Sequence, residues 1–226
     1  MPLPAQDSRA GPPTPPEPRV ASLLTDLTLE EKLSLCAGAG WWKTRPVERL
    51  GIRPFRLTDG PRGVGFHSSG KRCTAFPSGI AQAACWDEAL LRRLGAALGS
   101  ECRAAGGDTL LGPAINIART PLCGRTFEYL SEDPYLNSRL VVPLVKGIQE
   151  QGVAACVKHF AVNNQETNRV RISAQVSERA LQEIYLPAFR AAVEEGDAWS
   201  IMAAYNGVNG TPACENTDLL VRRLRR

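Results

Sequence analysis

Four short apolar runs, separated by segments of helical periodicity, are the feature that most constrains the fold. Arg53 to Thr58, Thr109 to Leu111, Ala154 to Phe160 and Trp199 to Ala204 each have the composition and length of a buried strand. Strands that alternate with helices predict parallel βαβ units, because parallel neighbours need a long crossover connection. The sequence therefore predicts an α/β protein.

The helices between these runs have recognisable first residues. Asp87 is a candidate N-cap, Asp133 precedes a first-turn proline, and Ser177 begins a third helix that Pro187 must kink or interrupt. Apolar residues on one face follow Asp87, namely Leu90, Leu91, Leu94, Leu98 and Cys102. These signals predict helices on the crossover connections.

Polar residues follow the predicted strands, and their position favours one α/β architecture over another. They are Asp59, Asn116 with Arg119, Lys158 with His159, and Tyr205 with Asn206. Barrel enzymes assemble their sites at the carboxyl ends of strands. A doubly wound nucleotide-binding fold normally has a Gly-x-Gly-x-x-Gly turn after a strand, and this sequence has none. We therefore predict the N-terminal part of a (β/α)8 barrel, incomplete at the C-terminus.

Six charged or hydrogen-bonding side chains are candidates for one site at that face. We call them the polar cup: Asp59, Arg125, Lys158, His159, Arg169 and Tyr205. Carboxylates, ammonium and guanidinium groups suit a sugar, because each sugar hydroxyl both donates and accepts. Aromatic walls often complete such sites, although Trp41 and Trp42 are predicted to pack inside the protein.

Composition excludes several other classes of function. The net charge of +4 is concentrated partly in Arg222 to Arg226, so no basic stripe indicates nucleic-acid binding. No apolar stretch approaches the ~20 residues of a membrane helix. The seven cysteines form no Cys-x-x-Cys pair and lie beside neither histidine, so we expect no metal or other cofactor. In their apolar surroundings they are predicted to be buried, reduced thiols, which favours the cytoplasm.

The chain begins with a proline-rich stretch that carries no secretory signal pattern. Residues 1–19 are predicted to be disordered, and residues 20–226 to form the partial barrel domain. Just after the tail, Thr28 and Glu31 have the spacing of a capping box, which predicts a short helix there.

Several longer motifs resemble family 3 of the glycoside hydrolases, specifically its bacterial β-glucosidases. The resemblance covers about nine tenths of the chain and includes Thr58-Asp59-Gly60-Pro61, Gly124-Arg125-Thr126-Phe127-Glu128-Tyr129, Lys158 through Glu166, and Tyr205 through Gly210. It implies a glucose subsite in which Asp59 binds the hydroxyls farthest from the scissile bond. Lys158, His159, Arg125 and Arg169 would surround the sugar ring, and Tyr205 would lie near the nucleophile.

The resemblance also implies a reaction and a backbone feature. The longer enzyme would hydrolyse terminal non-reducing β-D-glucosyl residues by a retaining mechanism, with its nucleophilic aspartate and its acid/base beyond Arg226. The isolated chain is therefore expected to be inactive. The segment around Lys158, His159 and Phe160 is expected to contain non-proline cis peptide bonds.

The sequence departs from the family pattern at one position near Asp59. Many family members have an arginine six residues after this aspartate, and here that residue is Gly65.

Alternative interpretations stay open at this point. A β-xylosidase of the same family differs in the space around the outermost hydroxymethyl group, and a non-catalytic carbohydrate-binding fragment would keep only the cup. The β-N-acetylglucosaminidase branch carries an additional catalytic histidine, for which a chain with only His67 and His159 has no candidate. Arg125 could instead form a purely structural ion pair with Glu128. The oligomeric state is not predicted.

Overall fold

The computed structural model describes residues 17–225, and residues 17–54 and 55–225 each form a compact unit. Residues 1–16 of the predicted disordered tail lie outside the described range. The prediction is wrong for the tail's last residues, because a helix begins at Pro18. Proline is favoured in the first turn of a helix, where its missing N–H leaves no hydrogen bond unmade.

The first unit contains helices α1 (Pro18–Asp26) and α2 (Leu29–Cys36) and a 3-10 turn, Glu48–Leu50. The predicted capping box is present at the start of α2. The Thr28 hydroxyl accepts from the Glu31 N–H at 3.2 Å, and the Glu31 carboxylate accepts from the Thr28 N–H at 2.9 Å. This reciprocal pair satisfies two N–H groups that the helix itself leaves without partners.

The second unit is built on a parallel sheet of four strands in the order β1-β2-β3-β5. Its strands are β1 (Leu57–Asp59), β2 (Thr109–Leu111), β3 (Ala154–Phe160) and β5 (Ser200–Ala203). Asp59 pairs with Leu111, and Lys158 pairs with Met202. The sheet confirms the predicted α/β class with parallel strands. The first strand starts later than predicted, since Pro54 lacks the N–H that a strand ladder needs.

Helices connect these strands and cover the sheet. They are α3 (Phe66–Ser69), α4 (Gly79–Ala83), α5 (Glu88–Ala104), α6 (Pro134–Gln149), α7 (Glu178–Ala180) and α8 (Pro187–Glu194). A π-helical turn, Leu181–Tyr185, lies between α7 and α8. Pro187 begins helix α8, so it interrupts the predicted helix and does not merely kink it. The predicted caps Asp87, Asp133 and Ser177 each accept a backbone N–H three residues later.

A second, smaller sheet lies beyond the carboxyl end of β3. It consists of β4 (Ser173–Ala174), β6 (Gly207–Val208) and β7 (Thr211–Pro212), with β4 parallel to β6 and β6 antiparallel to β7. A 3-10 turn, Ala213–Glu215, and a π-helical segment, Asp218–Arg223, follow. The small sheet connects the segment after β3 to the segment after β5.

Burial of the cysteines differs from the prediction. Cys102 and Cys156 are buried, but Cys36, Cys85 and Cys214 are exposed. Alanine and tryptophan neighbours in the sequence do not bury Cys85, since it lies in a turn between α4 and α5. Leu90 on the predicted apolar face of α5 is also exposed, because the buried stripe of that helix is narrower than the periodicity indicated.

Candidate functional site

The six side chains of the polar cup come together at the carboxyl ends of the parallel strands. Asp59 is the last residue of β1, and Lys158 and His159 lie near the carboxyl end of β3. Tyr205 follows β5, and Arg125 immediately precedes a 3-10 turn, Thr126–Glu128. The peptide bonds Lys158–His159 and Phe160–Ala161 are cis, as the resemblance implied.

A buried lysine joins two carboxylates in the cup. Lys158 Nζ donates to Asp59 Oδ1 at 3.2 Å and lies 3.5 Å from Glu128 Oε2. The side chains of Lys158 and Glu128 are each 3% exposed, whereas that of Asp59 is 54% exposed. Asp59 is therefore held by its lysine and still exposes its carboxylate to solvent.

Arg125 connects this group to Tyr205. Its Nε donates to Glu128 Oε1, and its Nη1 donates to the Tyr205 hydroxyl at 3.1 Å. Burial disfavours the charged guanidinium, but the Glu128 carboxylate and the Tyr205 hydroxyl outweigh it and raise the pKa of Arg125 above its ordinary value. The predicted ion pair between Arg125 and Glu128 thus exists, and it is part of the site.

Tyr205 continues the connected series toward a second carboxylate. Its hydroxyl donates to the Glu166 oxygens at 2.7 and 2.9 Å. Arg169 pairs with Glu166 at 3.0 Å, and its guanidinium lies 5.0 Å from the centre of the Tyr205 ring. The hydrogen bond to Glu166 raises the pKa of Arg169. Contacts of this kind orient the tyrosine hydroxyl and the arginine together.

His159 is buried and uncharged in this environment. Burial, and then the positive charges of Arg125 and Lys158, lower the pKa of His159 to about 2. Asn116 fixes its backbone on both sides, donating to the His159 carbonyl and accepting from its N–H, each at 2.9 Å. The Nδ1 atom of His159 is buried and has no hydrogen-bond partner within residues 17–225.

Two members of the site were not among the predicted candidates. Glu128 and Glu166 accept hydrogen bonds from the cup, and both were visible in the motifs, but nothing in their spacing showed that they face it. Arg119, predicted at the same face, instead donates to the Tyr185 hydroxyl at 3.0 Å. Gly65 lies against Asp59, and its N–H donates to the Asp59 carbonyl at 2.7 Å.

One of the two tryptophans that were predicted to pack inside the protein is exposed. Trp41 is 93% exposed, so its assignment to packing is wrong. It is at the tip of a short reverse turn in which Gly38 pairs with Thr44, and a turn of that length has no interior in which to bury a large side chain. Trp199, at the start of the β5 segment, is also exposed.

Neither a metal centre nor a membrane segment is found in the described part of the chain. Between residues 17 and 225, no three histidine, cysteine or acidic side chains are grouped so that they could hold a metal ion. In the same range, no helix has the length and apolar character needed to cross a membrane.

A parallel α/β sheet with a polar cup at the carboxyl ends of its strands is typical of (β/α)8-type domains. Residues 40–226 match the model of the glycosyl hydrolase family 3 N terminal domain, and the chain belongs to that family. This finding confirms the predicted resemblance.

Two individual relatives are similar to this chain over most of its length. The β-glucosidase BoGH3A of Bacteroides ovatus is 50% identical over 220 residues, covering 91% of this chain and 30% of that protein. An exo-α-(1→6)-L-arabinopyranosidase of Bifidobacterium longum is 43% identical over 210 residues, with 88% and 28% covered.

A solved structure is similar along the same range. β-Glucosidase 3B from Thermotoga neapolitana, in complex with glucose, superposes with a TM-score of 0.86 at 45% identity, covering 92% of this chain and 32% of that one. The chain thus spans roughly 30% of the length of these relatives.

Proposed function

We propose that the polar cup is the glucose subsite of a retaining β-glucosidase. The observation that carries this proposal is the connected series of contacts from Asp59 through Lys158, Glu128, Arg125 and Tyr205 to Glu166. It gathers donors and acceptors from separate strand ends around one exposed carboxylate. The relatives named β-glucosidase support the choice of sugar.

The cup binds a sugar by matching its hydroxyls with charged partners. The half-exposed Asp59 carboxylate accepts from two neighbouring hydroxyls at the end of the sugar farthest from the scissile bond, and Lys158 donates to their oxygens. A hydrogen bond to a charged group contributes about 1.5 to 3 kcal/mol. The neutral His159 ring packs beside the Tyr205 ring and adds no charge to the cup. Arg125 and Arg169 lie on the side of the sugar ring that faces Tyr205.

The catalytic carboxyls are assigned to sequence outside these 226 residues. A retaining glycosidase uses two carboxyl groups about 5 to 5.5 Å apart, one as nucleophile and one as general acid. Glu128 is buried between two cations, and Glu166 is engaged by Tyr205 and Arg169. Both are therefore committed to positioning other groups, and neither is left to attack the sugar or to protonate its leaving group.

A pentopyranoside is the second candidate substrate, with β-xyloside as its form in this family. The arabinopyranosidase relative favours it, because that name denotes a sugar ring without a hydroxymethyl group. Glucose and xylose differ at this one substituent, so the space beside Asp59 decides between them.

Calorimetry of the 226-residue chain tests the proposal with two methyl glycosides. We expect methyl β-D-glucoside to bind more tightly than methyl β-D-xyloside, because the extra hydroxyl adds a hydrogen bond in the cup. Tighter binding of the xyloside would support the second candidate. Absence of binding by either glycoside to a folded, monodisperse chain would contradict the sugar subsite itself.

A further inference from the structure

Glu128 is the innermost carboxylate of the site, and both of its oxygens are occupied. Oε1 accepts from Arg125 Nε, and Oε2 lies 3.5 Å from Lys158 Nζ. Its side chain is 3% exposed. Because each of its oxygens faces one of these cations, Glu128 does not contact a sugar directly and acts through the two cations that it joins.

The buried lysine depends on Glu128 for its charge balance. The other carboxylate beside Lys158, Asp59, is more than half exposed, and water screens the charge of an exposed group. Glu128 faces Lys158 in the part of the site from which solvent is excluded. An uncompensated charge in such surroundings is strongly unfavourable.

The charges of the site balance. Its three cations are Arg125, Lys158 and Arg169, and its three carboxylates are Asp59, Glu128 and Glu166. Each cation lies within 3.5 Å of at least one of these carboxylates. His159 adds no charge, since its pKa is about 2. A site of zero net charge does not offset the cost of removing a sugar carboxylate from water, and a neutral sugar does not incur that cost.

We propose that Glu128 determines specificity in this site by neutralising Lys158 and Arg125, so that the cup selects an uncharged sugar over a uronic acid. The inference rests on the proposed sugar subsite and names the class of ligand that the subsite excludes. Without the Glu128 charge, the site would carry one excess positive charge in a buried position and would attract a sugar carboxylate.

Methyl β-D-glucoside and methyl β-D-glucuronide test the proposal, because they differ only at carbon 6. Calorimetry at low ionic strength gives the ratio of their affinities for each variant. We expect the wild type to bind the glucoside at least tenfold more tightly. In Glu128→Gln this ratio moves at least tenfold toward the glucuronide, whereas Glu128→Asp, which keeps the charge, retains the wild-type preference.

Glu183→Gln is the matched control, since Glu183 pairs with Arg179 on the exposed surface of the helical segment that follows Ser177. It should leave both affinities unchanged. A Glu128→Gln ratio equal to that of the wild type overturns the specificity role and leaves the sugar subsite standing. Binding of neither glycoside by the wild type overturns the proposed function and this inference together.

Folding of the variants can be separated from their specificity. Thermal unfolding of each variant shows whether the protein is native at the temperature of the titration. If Glu128→Gln does not fold, the wild type and Glu128→Asp decide: equal affinity of either protein for the two glycosides contradicts the proposal.

Discussion

At the residue scale, the buried His159 makes the stability of the chain depend on pH. The pKa of an unfolded histidine is about 6.5, and burial beside Arg125 and Lys158 lowers that of His159 to about 2. Between these two values the unfolded chain binds one more proton than the folded chain. Stability contributed by the neutral ring is therefore present above about pH 6.5 and is lost as the pH falls below it.

Urea denaturation at several pH values measures this effect. From pH 6.5 to pH 5 we expect the His159 contribution to lower the free energy of unfolding by about 2 kcal/mol. His159→Asn should remove this part of the slope, and His67→Asn, at an exposed position, should keep it. Equal slopes for the wild type and His159→Asn would show that His159 is not held neutral by burial.

The sequence predicted the members of the cup better than their connections. All six candidate side chains converge, because the carboxyl ends of parallel strands meet at one edge of the sheet. Glu128 and Glu166 escaped prediction as site residues, since a carboxylate three residues from an arginine is equally typical of a surface pair. The burial of Glu128 distinguishes its ion pair from an ordinary surface pair.

At the scale of elements, helices α5 and α6 pack with their backbones unusually close. A Cβ atom on Gly147 of α6 would lie 2.1 Å from the Arg92 carbonyl oxygen and 2.8 Å from the Ala96 nitrogen of α5. On the opposite side, a Cβ on Gly95 would lie 2.4 Å from the Leu144 carbonyl oxygen. Glycines on both helices are thus required by the close approach.

We therefore expect Gly147→Ala to destabilise the protein, although alanine is the better helix former by about 1 kcal/mol. Overpacking of this kind lowers the free energy of unfolding by about 1 to 3 kcal/mol. Ser100→Ala, at an exposed position of α5, is the control and should be nearly neutral. If urea denaturation showed Gly147→Ala to be as stable as the wild type, the two helices would have room to separate.

Local signals predicted where elements begin, and tertiary contacts decided the rest. The caps at Asp87, Asp133 and Ser177 and the break at Pro187 were readable, because each is chemistry within a few residues. The glycine contacts between α5 and α6 were not, since they depend on residues some fifty positions apart. The short strands of the small sheet carry no periodicity and were also missed.

At the scale of the whole molecule, we propose that the cup and the chemistry of hydrolysis are separable. The chain spans roughly 30% of the length of its relatives, and we place both catalytic carboxyls outside it. We therefore expect the isolated chain to release no nitrophenol from 4-nitrophenyl β-D-glucoside above the rate of a heat-denatured sample. Turnover that is abolished by Glu128→Gln or Glu166→Gln would instead assign a catalytic carboxyl to this chain.

In the proposed subsite, Asp59 is the exposed carboxylate that recognises the sugar. Asp59→Asn keeps the shape of the side chain and removes its charge, which weakens its hydrogen bonds to sugar hydroxyls. Asp197→Asn is a matched control at an exposed position whose φ of 52° asparagine also tolerates.

Titration calorimetry of these three proteins with methyl β-D-glucoside is the most direct test. We predict that the wild type and Asp197→Asn bind equally and that Asp59→Asn binds roughly ten- to a hundredfold more weakly, as the loss of a charged hydrogen bond implies. Equal affinity of Asp59→Asn and the wild type would contradict the proposed role of Asp59.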